Sequence, residues 1–298
     1  MAFRYLRSII VILAFATCLV PAQAQDEQLT PAQLAWQAAY NAAKPGPSDI
    51  TLGEQAVLHL PPEMAFMPRT ESEAFMKAVG NGIGEGFFGI VVPKSESQFW
   101  IMTVNHTAQG YVKDDDAKSW NADELLQSLK DGTEEQNKER ERLGVTALDI
   151  IGWIESPHYD AGAHRLVWSM KAVDRGAASD ALATVNFNTY ALGRDGYFEF
   201  NLITTDDVIG TEKPYAQAVL AALDYKPGKR YEDFDASTDH IAEYGLAALI
   251  GGVAAKKLGL LALAGAFLAK FAKVIFVVAA VAGGAIFKFF RRKRNREG

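Results

Sequence analysis

The stretch ATVNFNTYALGRDGYFEFNLI, residues 183–203, decides the fold. Strand-forming residues run from Ala183 to Leu192 and again from Tyr197 to Ile203, with only Gly193-Arg194-Asp195-Gly196 between them. A parallel crossover needs a dozen or more residues, so two strands joined by so short a link pair antiparallel. Asn186-Phe187-Asn188 and Arg194-Asp195-Gly196 read as turn caps and strand edges, as does Tyr231-Glu232-Asp233-Phe234 further on.

Working outward, strand-like runs recur at Ile50–Leu52, Ala56–Leu60, Phe87–Val92, Phe99–Asn105, Asp149–Glu155 and Arg165–Val173, separated by Gly, Pro and Ser turns. Helices are fewer. Thr30-Pro31 supplies a cap and a first-turn proline for a helix carrying Trp36 and Tyr40, which Lys44-Pro45-Gly46-Pro47 ends. Thr70–Val79 reads as a short helix, and Asn121 with Glu124 forms a capping box for Ala122–Lys130. Asp131-Gly132 interrupts that helix, and a second, charged one over Glu134–Leu143 presents a solvated face. Tyr215–Leu223 is helical and leads into a strand over Tyr225–Phe234. The expected fold class is α+β, a mainly antiparallel sheet with covering helices, to which the chain ends add an interfacial helix and one C-terminal transmembrane helix.

Those ends carry the topology. Arg4 and Arg7, an apolar run from Ile9 to Val20 and the small-residue pattern Ala22-Gln23-Ala24 predict a signal peptide cleaved after Ala24, which also removes Cys18 and leaves no cysteine. At the other end, an apolar stretch from Gly245 to Phe290 runs into Arg291-Arg292-Lys293-Arg294. Two spans would bury Lys256 and Lys257 in lipid and place the basic cluster outside, so a single span over 271–290 is expected, with Lys273 and Lys288 reaching toward opposite interfaces. The segment before it, from Gly245 to Ala269, suits an interfacial helix, against the alternative of a helix packed on the soluble domain. The expected organisation is a signal peptide (1–24), an N-terminal helix and linker (25–48), a periplasmic domain (49–236), a juxtamembrane helix (237–270), the span (271–290) and a cytoplasmic basic tail (291–298). This organisation predicts a single-pass protein of the bacterial inner membrane, with its C-terminus in the cytoplasm.

Charge is divided just as unevenly. Residues 25–243 hold 18 of the 30 Lys/Arg and 35 of the 36 Asp/Glu, a net charge of −17. Nucleic acid is excluded as a partner, since phosphate contacts need a basic surface.

Candidate chemistry is sparse. Gly84-x-Gly86-x-x-Gly89 matches a dinucleotide fingerprint formally, but it precedes a strand instead of opening a helix and reads as a turn needing positive φ, so no cofactor is expected. Asp114-Asp115-Asp116 lacks the alternate spacing of a calcium loop and reads as a solvated turn. His158, Asp160 and His164 share the loop between two strands and are the candidates for a metal or acid/base site, against a structural loop in which Asp160 orients a histidine. No serine lies in a G-x-S-x-G elbow.

The strings GYVKDDDA (110–117), GWIESPHYD (152–160), HRLVW (164–168), VNFNTYALGRDGY (185–197), GKRYEDF (228–234) and AEYGLAALIGG (242–252) together resemble a bacterial family of predicted membrane-anchored proteins, domain of unknown function 2167. The resemblance implies an exported domain on a C-terminal anchor and supplies no catalytic residues. In outline, strand, helix and aromatic-rich end from Ala183 to Phe234 also resemble sandwich domains of the photosystem accessory-protein type, a likeness of fold alone. The expected function is a non-enzymatic envelope assembly or stress-related protein with the inner membrane and an envelope protein as partners. The alternative is a membrane-tethered periplasmic hydrolase or metal-binding protein using His158, Asp160 and His164.

Overall fold

The computed structural model describes residues 29–79, 83–95, 97–142 and 146–251. The expected signal peptide, the apolar stretch beyond Gly251 with Lys256 and Lys257, the span over 271–290 and the basic tail lie outside these residues. Among the described residues, no helix is long and apolar enough to cross a membrane.

The residues 183–203 form the centre of the fold. Strands β9 (Thr184–Gly193) and β10 (Gly196–Thr205) pair antiparallel from Gly193 with Gly196 to Thr184 with Thr205. Around them lie β1 (Lys44–Pro45), β4 (Met64–Pro68), β5 (Phe87–Pro93), β6 (Ile101–Thr107), β7 (Leu148–Asp160) and β8 (Arg165–Asp174). The result is an eight-stranded sheet in the order β1-β4-β5-β6-β10-β9-β8-β7, with every pairing antiparallel. A three-stranded sheet is formed by β2 (Ser48–Leu52), β3 (Ala56–Leu60) and β11 (Leu223–Tyr225).

Both faces of the large sheet are covered, which is why β9 and β10 are buried along almost their whole length. On one face Phe187, Phe198, Phe200 and Leu202 pack against the small sheet and against α4 (Ile209–Ala221). On the other, the helices α1 (Pro31–Asn41) and α2 (Arg69–Ala78) cover the β4-β5-β6 end, where Trp36 meets Phe75 at 5.0 Å. The β7-β8-β9 end of that face is covered by α3 (Ala122–Arg142) and by the short α5 (Ala247–Gly251).

Local signals explain the starts of α1 and α3. Thr30 and Gln33 close a reciprocal capping box with Pro31 at the first position of α1. Asn121 Oδ1 accepts the Asp123 and Glu124 amides at 2.9 and 3.3 Å, starting α3. The expected break at Asp131-Gly132 does not occur, and α3 is one helix through Arg142. A mid-helix glycine costs only about 1 kcal/mol, and tertiary contacts outweigh it. Asn137, on the half expected to face solvent, is buried and holds both the amide and the carbonyl of Leu148 at 2.8 Å, so its side chain acts as a strand partner for β7. Arg140 is buried beside it and donates to the Thr146 carbonyl at 2.7 Å.

The expected strand over Tyr225–Phe234 is also corrected. It ends at Tyr225, a turn closes where the Lys229 amide meets the Lys226 carbonyl, and Tyr231–Asp233 is a 3-10 turn. Met64–Pro68 is a strand that the sequence reading lacked. It is a continuous apolar run, buried at its first four positions, so it shows no alternation to read.

Candidate functional site

The strings that carried the resemblance are far apart in sequence and meet at one end of the sheet. Gly110 opens the site. Its φ is +96°, and a Cβ there would lie 2.6 Å from the His240 carbonyl oxygen, so only glycine lets the two chains approach this closely. Tyr111 then forms a parallel bridge with Ile241, its amide donating to His240 O at 2.8 Å and its carbonyl accepting from Ala242 N at 2.9 Å. The Tyr111 ring lies in a four-ring stack: His164 on Tyr231 at 4.2 Å, Tyr231 on Tyr111 at 4.3 Å and Tyr111 on Phe234 at 4.0 Å. The Tyr231 hydroxyl donates to Val112 O at 2.9 Å, and Tyr159 donates to Asp114 at 2.8 Å. Burial pushes both phenols well above their ordinary range, so they act as donors and not as acids.

These contacts hold the chain that leads toward the apolar C-terminal stretch. Arg194 grips Asp239 through two bonds of 2.7 and 2.9 Å, and this guanidinium depresses the Asp239 carboxyl. Asp116 receives the amides of Leu246 and Ala247 at 3.1 and 2.9 Å, one on each carboxylate oxygen. Leu246, Leu249 and Ile250 are buried against the domain. The stretch expected to lie on a lipid surface from Gly245 onward is therefore packed on the protein as far as Gly251. The Asp114–Asp116 turn, expected to be merely solvated, supplies two of the site's acceptors. Asp116→Ala is expected to lower unfolding stability by about 2–3 kcal/mol, since both bonds are charge-assisted. Urea denaturation of the full chain checks it, with Lys118→Ala, an exposed neighbour, as the control.

The predicted site residues do not converge. His158 and Asp160 are exposed on one face of β7, while Tyr159 between them points to the other. Asp160 orients no histidine. It accepts the amides of Gly162 and Ala163 at 2.9 and 3.2 Å and shapes the turn into β8. His164 belongs to the ring stack, with φ of 51°, Nδ1 at 3.3 Å from the Tyr159 hydroxyl and Nε2 at 3.8 Å from Glu232. Among the described residues, no group of three or more His, Cys, Asp or Glu side chains is placed to hold a metal ion.

The glycine run is accounted for by packing. Gly86 lets the chain pass His106, whose carbonyl oxygen would lie 1.8 Å from an added Cβ, and the positive φ falls at Gly89 inside β5. The Arg69 guanidinium binds the carbonyls of Gly84, Glu85 and Phe87. Carbonyls facing a cation are the opposite polarity to a phosphate cradle.

A second feature adjoins the seat and was missed. Asn186, Asn188 and Tyr190 on β9 and Glu199 and Asn201 on β10 share one face of the sheet, all buried, beneath α3 and α5. They floor a cavity of about 60 Å³, walled also by Leu129, Trp168, Met170, Leu249 and Ile250, large enough to hold water. Asn201 Nδ2 donates to Asn186 Oδ1 at 3.1 Å, while Asn186 Nδ2 and Asn201 Oδ1 have no protein partner. The Glu199 carboxyl and the Tyr190 hydroxyl are hydrogen-bonded at 3.2 Å, and loss of solvent raises the carboxyl to about 8. The signal was present in residues 183–203: polar side chains at every second position of two strands otherwise apolar mark a buried polar face, not turn caps.

Solved structures that resemble the chain include the following three. Cyanobacterial PsbP (CyanoP) from Synechocystis sp. PCC 6803 is 10% identical with a TM-score of 0.36, covering 62% of this chain and 91% of its own. The Saccharomyces cerevisiae Ran-binding protein Mog1p is 11% identical with a TM-score of 0.32, covering 59% and 94%. LpqN, involved in cell envelope biogenesis of Mycobacterium tuberculosis, is 12% identical with a TM-score of 0.30, covering 65% and 97%. Likeness at this level carries nothing about activity. No curated protein matches the chain significantly. The model of a family described as proteins of unknown function, DUF2167, matches residues 44–282, which takes in both sheets, the ring stack and the seat of α5, and the chain belongs to that family.

Proposed function

We propose that this is a non-enzymatic interaction protein of the bacterial envelope, an acidic periplasmic domain tethered to the inner membrane by the stretch that follows Gly251. The seat of Leu246–Gly251 carries the reading. A domain on a flexible leash needs no such contacts, whereas Asp116, the Arg194–Asp239 pair and the ring stack fix the chain on the domain immediately before its apolar run. A seat of this kind sets the attitude of the domain relative to whatever follows, which suits a protein that presents a surface to a partner. The alternative, a hydrolase or metal site built on His158, Asp160 and His164, is less favoured, because His164 lies in the ring stack beside Tyr159 while His158 and Asp160 face the other side of β7.

Fractionation with a tag after Gly298 tests the topology. The protein is expected in alkaline-washed membranes, with the tag shielded from protease in spheroplasts and the domain exposed. Recovery in the soluble fraction, or a tag cleaved from outside, overturns the tether. Purification in mild detergent tests the role: a stoichiometric protein partner is expected, and a lone monomer that turns over envelope substrates contradicts it.

A further inference from the structure

The Tyr190 hydroxyl stands between two acceptors. Its oxygen is 3.2 Å from Glu199 Oε1 and 3.3 Å from the carbonyl oxygen of Leu249 in α5. A phenol has one proton to donate, so it cannot serve an ionised carboxylate and a carbonyl together. When Glu199 is protonated both bonds form: the carboxyl donates to the tyrosine oxygen, and the tyrosine donates to Leu249. When Glu199 loses its proton to solvent, the charged carboxylate is the stronger acceptor and takes the tyrosine proton. The Leu249 carbonyl then loses the bond from Tyr190 that ties α5 to β9. We propose that Glu199 is a proton-binding site whose occupancy latches and unlatches α5 through Tyr190.

The surroundings suit such a site. Glu199 and Tyr190 are both fully enclosed, and burial is the main reason the carboxyl holds its proton to about 8. Tyr197 from the same strand lies 5.7 Å from Tyr190, ring to ring, and Tyr244 approaches Tyr197 from the chain before α5. Asn105 is opposite Glu199 on β6 and does not titrate. Arg140 enters the cavity from α3 and is held by Thr146 O, with Asp174 as its charge partner. The phenols stay neutral across the range in which Glu199 titrates, and the guanidinium stays charged, so one proton controls the latch. The latch concerns residues 247–251 alone and stands whether or not the stretch beyond them crosses a membrane.

Amide hydrogen exchange of the full chain in detergent, followed from pH 6 to pH 10 and corrected for intrinsic exchange, tests it. Protection over 247–251 is expected to fall about tenfold, the worth of one hydrogen bond, with a midpoint near 8, while β9 and β10 keep theirs. Glu199→Gln, whose amide donates permanently to Tyr190, should hold the protected level at every pH. Tyr190→Phe should show the low level at every pH. A wild type that stays flat over this range, or a Glu199→Gln variant that still titrates like wild type, overturns the proposal.

Discussion

Glu199→Gln is expected to stabilise the folded protein at pH 9 by an amount on the order of a few kcal/mol, and to remove most of its stability change between pH 5 and pH 8. A glutamate in the unfolded chain loses its proton near ~4.3, whereas burial raises Glu199 to about 8 in the fold. The folded state therefore binds this proton more tightly. Its contribution is full below the unfolded value, declines as pH rises toward about 8, and is gone above that. Glutamine has no proton to lose, so the slope it removes is close to one proton over that interval. Urea midpoints of wild type and variant across this pH range measure it, and parallel curves would mean that Glu199 is solvated.

Phe198→Ala is expected to cost about 3–5 kcal/mol, as for other aromatic truncations in a closed core. Phe198 is fully buried at the join of the two sheets. Its ring lies 4.7 Å from His106, 5.6 Å from Tyr225 at the end of the small sheet and 6.0 Å from Phe88. Deleting it opens a void between layers that rigid strands cannot collapse to fill. Thermal or urea unfolding gives the loss directly. A cost below about 1 kcal/mol, the surface range, would mean that the small sheet does not close this core.

The centre of the fold was legible because residues 183–203 leave almost no alternative: two apolar runs and a link too short to cross over. Caps were legible too, since Thr30 with Gln33 and Asn121 with Glu124 act through bonds within one turn. What the sequence hid lies in long-range contacts. Asp131-Gly132 looks like a break until Asn137 is seen gripping Leu148 from a neighbouring strand. Tyr225–Phe234 looks like a strand, but the stack of Tyr231 and Phe234 on Tyr111 bends it into a turn.

The site was hidden for the same reason. His158, Asp160 and His164 are close along the chain, yet the turn after β7 carries His164 to the face of Tyr159, away from His158 and Asp160. Asp116 and Leu246 are separated by 130 positions and touch. The asparagines at 186, 188 and 201 read as surface residues singly, and only their common register on β9 and β10 makes them a buried face.

Hydrogen exchange of the full chain reconstituted in lipid vesicles at pH 7 tests the seat most directly. If Asp116 and Tyr190 hold the segment on the domain, the amides of Leu246 and Ala247 exchange at least a hundredfold more slowly than an unstructured chain, an opening free energy above about 2.7 kcal/mol. Asp116→Ala removes that protection while β9 and β10 keep theirs. Free exchange of Leu246 and Ala247 in the wild-type protein would contradict the seat, and with it the fixed attitude on which the proposed function rests.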